Sequence, residues 1–181
     1  MLLSVAAFAQ GKTYKASMFG VKSNGQIDNT ASIQRAVNFI AEQGGGTLEF
    51  NVGRYLTGAV ELKSGVNIKM NEGSVIVGST NIFDYRGKPA IFWADNQENI
   101  SIIGVGVFDG RGPELLADIA AKQAKGILSK DVVVPSLLSI VNCKNVTLKK
   151  IILRNPATAP DLYILKGTDA KVEGCYCDTA R

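Results

Sequence analysis

Asn99-Ile100-Ser101-Ile102 and Asn145-Val146-Thr147-Leu148 repeat one short phrase, an asparagine followed by alternating apolar and polar residues, and Asn67-Ile68-Lys69-Met70 states it once more upstream. Such alternation sends successive side chains to opposite faces of an extended strand. A weaker copy is Lys171-Val172-Glu173-Gly174. Leu48 to Ile68 spans 20 residues and Val146 to Val172 spans 26, and the wider gaps between the other copies contain insertions. Periods of this size belong to coiled solenoids whose turns stack, because a single turn cannot bury its own apolar face. The repeat predicts a parallel β-helix with apolar residues in a shared interior. Asparagine stands at the bends, where it tolerates left-handed backbone.

Around these phrases the period-two pattern continues. Leu48 and Phe50, Val60 and Leu62, Val66, Ile68 and Met70, then Val75 and Val77 alternate with polar residues. Gly53, Gly58, Ser64-Gly65, Gly73 and Gly78-Ser79 punctuate them, and no helix between them is long enough for a doubly wound crossover. Upstream, Asp28-Asn29-Thr30 offers capping oxygens, Ile33, Ala36, Val37 and Ile40 share one helical face, and Gly44-Gly45-Gly46 stops the pattern. An open solenoid end exposes unpaired strand groups and apolar interior, and this helix is placed to plug one. A helical excursion is expected near residues 113–125, with Pro113 at its start, Leu115, Leu116, Ile119 and Ala120 at helical spacing and Gly126 at its close. At the other end Asp178-Thr179-Ala180-Arg181 carries no comparable cap. The last coil is therefore expected to be covered by further sequence or by a partner chain, or to stay open, which would allow a homo-oligomer through that end.

The 181 residues suit one domain with a sizeable core. Apolar residues make up 46% and glycines number 19, which argues against disorder and for many turns. The net charge of +4 favours an acidic partner. Its cations are scattered, with Lys149-Lys150 the one adjacent pair and no arginine-rich run interleaved with aromatics, so nucleic acid is not the expected partner. The chain has no histidine, which excludes imidazole catalysis and histidine metal sites within it. Cys143, Cys175 and Cys177 include no C-x-x-C pair, and are read as small apolar residues rather than as a metal or redox site. Residues 1–9 read either as a secretory leader ending at Ala7-Phe8-Ala9, though without a basic start, or as a hydrophobic first strand. The leader implies a secreted or periplasmic protein. No other stretch approaches the roughly 18 apolar residues of a membrane span.

Several longer motifs stand out: Asp28-Asn29-Thr30-Ala31-Ser32-Ile33-Gln34-Arg35-Ala36, Gly44-Gly45-Gly46-Thr47-Leu48-Glu49-Phe50, Gly53-Arg54-Tyr55-Leu56-Thr57-Gly58 and Leu62-Lys63-Ser64. With Asn71-Glu72-Gly73, Gly104-Val105-Gly106-Val107-Phe108-Asp109-Gly110-Arg111-Gly112 and Asn142-Cys143-Lys144-Asn145-Val146, which carry the likeness to about residue 155, they resemble the opening of the family 28 polygalacturonases. Met18 and Asn51-Val52-Gly53 depart from it, where that family commonly has an aspartate and a Pro-x-Gly. The resemblance implies an all-β, right-handed, single-stranded parallel β-helix, with residues 16–181 forming one incomplete domain. It also implies inverting hydrolysis of galacturonosidic bonds in pectin or polygalacturonate, with no cofactor and no metal.

That activity implies Asn-Thr-Asp, Asp-Asp, Gly-His-Gly and Arg-x-Lys segments on later coils, and none of them is read in this chain, so the catalytic coils are expected to be absent from it. No catalytic residue is nominated. Asp109, Glu114, Asp118 and Asp161 are the carboxylates in view, without an adjacent pair, and Asp109 is read mainly as a coil bend. Arg111, Arg154 and Asp161 are the candidate substrate-binding residues, the arginines because a guanidinium grips a uronate carboxylate through two hydrogen bonds. Trp93 and Tyr163 are candidates for stacking on sugars, although aromatic residues in β runs more often fill packing. A non-catalytic β-helix that binds carbohydrate or assembles with copies of itself is the alternative. A calcium-dependent lyase is disfavoured, because clustered carboxylate ligands are missing.

Overall fold

The computed structural model describes residues 11–178; the leader region, residues 1–9, lies outside them. The chain winds a parallel β-helix of three sheets in which every paired strand is parallel. Sheet A stacks β1 (Thr13–Lys15), β2 (Gly46–Phe50), β5 (Val66–Met70), β8 (Glu98–Gly104), β11 (Lys144–Lys149) and β14 (Thr168–Glu173). Sheet B stacks β3 (Gly53–Thr57), β6 (Ser74–Gly78), β9 (Val107–Asp109), β12 (Ile152–Arg154) and β15 (Tyr176–Asp178). Sheet C stacks β4 (Val60–Glu61), β7 (Ala90–Asp95), β10 (Ser136–Val141) and β13 (Leu162–Leu165). Each coil runs through A, B and C in turn, so a strand pairs with the strand one coil later and never with its neighbour in sequence.

The interior is built from columns of like side chains. Leu48, Ile68, Ile102 and Leu148 lie over one another in sheet A, Tyr55, Ile76, Phe108 and Leu153 in sheet B, and Val60, Phe92 and Leu138 in sheet C, all buried. Phe92 meets Phe108 edge-on with centroids 5.2 Å apart, joining two sheets across the core. Two of the three predicted asparagine bends are present, at Asn99 and Asn145, whereas Asn67 lies within β5 and Gly65 takes the corner there. Gly45, Gly65, Asn99, Asn145 and Asp169 occupy equivalent places at the entry to the sheet A strands, and all have positive φ. Asn145 Nδ2 donates to Asn99 Oδ1 at 2.7 Å, so the corner is a ladder of side chains as well as of backbone.

The register corrects the sequence spacing in two places. Asn67 faces Ser101 rather than Asn99, and Val146 faces Ala170, 24 residues on, rather than Val172. In β6 the inward residues are Ser74 and Ile76, not Val75 and Val77; one residue of slip exchanges the two faces of a strand. Val77 is nonetheless buried, because it lies in the outer column with Asp109.

Helix α1 (Thr30–Glu42) buries Ile33, Ala36, Val37 and Ile40, the face the sequence predicts. It follows a bridge between Asn24 and Arg54 on the sheet B side, and so occupies the sheet C position of the first coil. There Gln34 substitutes for a strand. Its Oε1 accepts from Glu61 N at 2.7 Å and its Nε2 donates to Glu61 O at 3.0 Å, satisfying the open edge of β4. Capping differs from expectation. Asn29 makes no helix-capping bond; its amide ties Lys22, Ile27 and Leu56 together, while Asp28 Oδ1 accepts from Thr30 N at 2.9 Å.

The excursion is α2 (Gly112–Ala124), inserted between β9 and β10. It buries Leu115 and Ile119, whereas Leu116 and Ala120 face solvent. Its other anchor is polar. Asp118 accepts from Ile82 N at 3.0 Å and pairs with Lys122, which also donates to Asn81 Oδ1 at 2.7 Å, fixing α2 to the short 3-10 turn Ile82–Tyr85.

Candidate functional site

The corner between sheets B and C collects the charged residues. Parallel stacking puts Val77, Asp109, Arg154 and Asp178 in one column, and Gly110 N donates to Arg154 O and Gly112 N to Asn155 O as the corner backbones follow each other. Gly112 needs its missing side chain here, since a Cβ would lie 2.1 Å from the Pro156 carbonyl oxygen.

Asp109 is the hub of this corner, 6% exposed. Its Oδ2 accepts from Arg154 Nη2 at 2.9 Å, and its Oδ1 accepts from Asn155 Nδ2 at 3.0 Å and from Arg111 N at 3.3 Å. Arg54 Nη2 stands 3.8 Å from Oδ2 on the other side. Burial alone would raise the Asp109 carboxyl, but the hydrogen bonds from Asn155 and Arg154, the Arg154 charge and the Arg111 amide outweigh it and hold it below the ordinary carboxylate value. A carboxylate so enclosed is a structural anion, as its reading as a bend implies. Its two flanking arginines keep outward surface, with side chains 51% exposed for Arg54 and 38% for Arg154.

Of the three candidate binding residues, the structure brings Arg111 and Arg154 together around Asp109. The Arg111 guanidinium turns away, with Nε 3.9 Å from Glu114. Asp161 is set apart. It precedes β13, is 6% exposed, and has an Oδ2 buried without a hydrogen-bond partner among the described residues. Burial pushes its carboxyl up, offset in part by its own backbone N–H. Two further carboxylates near this corner, Glu114 and Asp118, are paired with Arg111 and Lys122. No group of three or more cysteines, aspartates or glutamates able to hold a metal occurs among the described residues. All three cysteines are free; Cys143 is buried in the core and the half-buried Cys175 packs against it, as small apolar residues do, whereas Cys177 is exposed.

Two open grooves flank the coil. A larger one, about 960 Å³, runs along the outer face of sheet A over Asn67, Ser101, Asn145 and Thr147, with Lys69, Glu72 and Lys171 also in its lining. The other, about 410 Å³, lies between α1 and sheet C and contains Trp93 and Arg86-Gly87-Lys88. That tripeptide is an Arg-x-Lys string, but it stands before β7 rather than on a later coil, and the sequence reading passed over it.

A right-handed parallel β-helix names no activity by itself, since one fold hosts many. A chain from Parabacteroides merdae ATCC 43184, provisionally assigned as a glycosyl hydrolase, is 39% identical and superposes with a TM-score of 0.89 over 92% of this chain and 75% of its own. The family 28 exopolygalacturonase of Yersinia enterocolitica is 21% identical with a TM-score of 0.81, over 94% of this chain and 39% of its own. The exo-poly-alpha-D-galacturonosidase of Dickeya chrysanthemi is 25% identical over 206 residues, aligned with 84% of this chain and 34% of its own length. With the Parabacteroides merdae chain, this chain belongs to the family 28-like parallel β-helix proteins. It spans about a third of the length of the curated relative it matches. No protein-family model matches it.

Proposed function

We propose that the chain is the N-terminal part of a secreted or periplasmic polygalacturonase-like hydrolase of pectic polysaccharide, with residues 16–181 forming the first coils of one longer domain. Hydrolysis then depends on coils that follow it. The observation that carries this reading is the state of the B–C corner carboxylates: Asp109, Glu114 and Asp118 are committed to cations, and Asp161 stands alone. Inverting hydrolysis needs one carboxylic acid to protonate the leaving oxygen and a second carboxylate to activate water across the sugar, roughly 6.5–9.5 Å away. A buried aspartate holding two arginines is held too acidic to donate that proton at neutral pH, and no free second carboxylate faces it.

What these residues can supply is binding. Arg54 and Arg154 keep their exposed edges toward solvent while Asp109 fixes their other side, which suits them to orient a uronate carboxylate along the coil axis, with Arg111 contributing its backbone N–H to Asp109. β13, β14 and β15 each pair on one side only among the described residues, which is consistent with a following coil. No helix of the described residues is long and apolar enough to cross a membrane.

The test compares the 181-residue chain with one extended through the in-frame sequence after Arg181, both incubated with polygalacturonate and assayed for new reducing ends. Release by the extended chain alone is the expected result. Steady release by the short chain would show that its own carboxylates suffice and refute the reading. The same unpaired edges support a second reading, a non-catalytic binding module that assembles through them. It predicts a stable oligomer by light scattering and no turnover from either chain.

A further inference from the structure

The first coil ends in an aromatic layer that no other part of the described chain covers. Tyr14 is the inward residue of β1 and lies over Leu48, so it closes the shared interior at the start of the stack. Phe19, from the 3-10 turn Ala16–Phe19, and Phe39, from α1, pack on it with ring centroids 6.3 Å and 5.6 Å from the Tyr14 ring and 5.5 Å from each other. Tyr14 is buried beneath them, whereas Phe39 is 40% exposed and Met18, beside Phe19, is 68% exposed. Met18 is a departure from the family pattern noted in the sequence, an apolar side chain where an aspartate is common. Nothing in the core uses it. A protruding methionine next to two partly open phenylalanines is the composition of an interaction surface.

The rim of this patch is cationic. The Lys12 ammonium lies 5.3 Å from the centroid of the Tyr14 ring, and Lys15 immediately precedes the 3-10 turn that carries Met18. Neither forms an ion pair among the described residues. Lys15 stands opposite Glu49 across the β1–β2 pair, but Glu49 is held by Lys69 at 2.8 Å. Against these cations stands Glu42, the one carboxylate of α1. A second copy seated head to head on the patch would bring Lys12 and Lys15 of both chains together, and like charges facing each other cost affinity. A lipid surface of negative charge suits both features at once. Met18 and Phe39 enter the boundary between headgroups and acyl chains, while the lysine ammoniums stay at headgroup level.

We propose that Met18, Phe19 and Phe39, rimmed by Lys12 and Lys15, form a docking surface for an anionic lipid membrane, on which the coil stands by its first turn. Because β1 is the end strand of sheet A, the later coils and the Asp109 corner extend away from that surface. The inference draws on this end of the coil alone and stands apart from the hydrolase reading.

The experiment sediments the full chain with large vesicles of phosphatidylcholine alone and of phosphatidylcholine mixed with phosphatidylglycerol, beside the variants M18D and K12Q/K15Q. All three replaced side chains are exposed, and equal melting temperatures verify the folds. The expected result is saturable binding to the anionic vesicles, little to the neutral ones, and at least tenfold weaker binding by M18D, whose carboxylate enters the apolar patch and faces the lipid charge. K12Q/K15Q loses roughly fivefold for each lysine, and binding by the unaltered chain falls with added salt. Absence of vesicle binding overturns the proposal. So does equal binding by the unaltered chain and both variants, since a surface other than this patch then holds the lipid. A dimer that M18D dissociates, seen by light scattering without vesicle binding, overturns the lipid assignment and gives the patch to a second copy.

Discussion

Replacing Asp109 with asparagine probes the corner network without changing its shape. The carboxylate accepts from Arg154, Asn155 and the Arg111 amide, and pairs at longer range with Arg54. An amide in its place can still accept from Asn155 and Arg111, but its NH₂ then points at the Arg154 guanidinium, donor against donor. A charge-assisted hydrogen bond contributes about 1.5–3 kcal/mol. Both arginines are partly exposed and can rehydrate, which places the loss toward the lower part of that range, about 2 kcal/mol. For a chain of this size that lowers the melting temperature by about 4–8 °C. The pH dependence has a definite sign. Asp109 is held below its ordinary value in the fold, so its contribution is complete above the unfolded carboxylate pKa of about 3.9 and is lost as pH falls through the lower folded value. Thermal unfolding at pH 7 separates the two proteins, and the gap narrows in measurements taken toward pH 3. Equal stability at pH 7, or a gap that does not change with pH, would refute the assignment of Asp109 as a structural anion.

Other outcomes follow from single contacts. Gln34→Ala removes both bonds to the Glu61 backbone and costs about 2 kcal/mol, measured by urea unfolding. Asp161→Asn should stabilise the chain by about 1 kcal/mol at pH 7, because an unpartnered buried carboxylate is relieved of its charge. The raised Asp161 carboxyl penalises the fold as pH rises above about 3.9, so this advantage disappears in melts below that pH. Gly104→Ala puts a Cβ 1.9 Å from the Met70 carbonyl oxygen at a φ of +134°, and costs more than about 3 kcal/mol or abolishes folding, read by circular dichroism of the purified variant.

The coil was legible because its signals are local. Alternation marks the strands, asparagine and glycine mark the left-handed corners, and the Ile33 to Ile40 face marks the plug. What the sequence could not show is how coils of unequal length align. Insertions of different size separate the phrases, so nothing in the spacing says that Asn67 lies against Ser101. The β6 slip has a related cause: Val75, Ile76 and Val77 are all apolar, and the outer face there is covered too, so alternation carries no phase. The candidate site was legible only in pieces. Arg154 and Asp109 are 45 residues apart and meet because one coil separates them, whereas Asp161, nominated with Arg154 and close to it in sequence, has its Oδ2 buried without a hydrogen-bond partner among the described residues. The α1 pocket gathers residues 35, 86, 88 and 93 from a helix, a turn and a strand, a set no linear motif encodes.

Backbone nuclear Overhauser contacts between strands give the sharpest check on the stacking that assembles these corners. The register requires Thr47 to neighbour Asn67, Asn67 to neighbour Ser101, Ser101 to neighbour Thr147 and Thr147 to neighbour Lys171, all in parallel sense. Observation of that series is the predicted result. Cross-strand contacts between sequence neighbours such as β2 and β3, or antiparallel pairing anywhere in the series, would contradict it and dissolve the Asp109 corner with it.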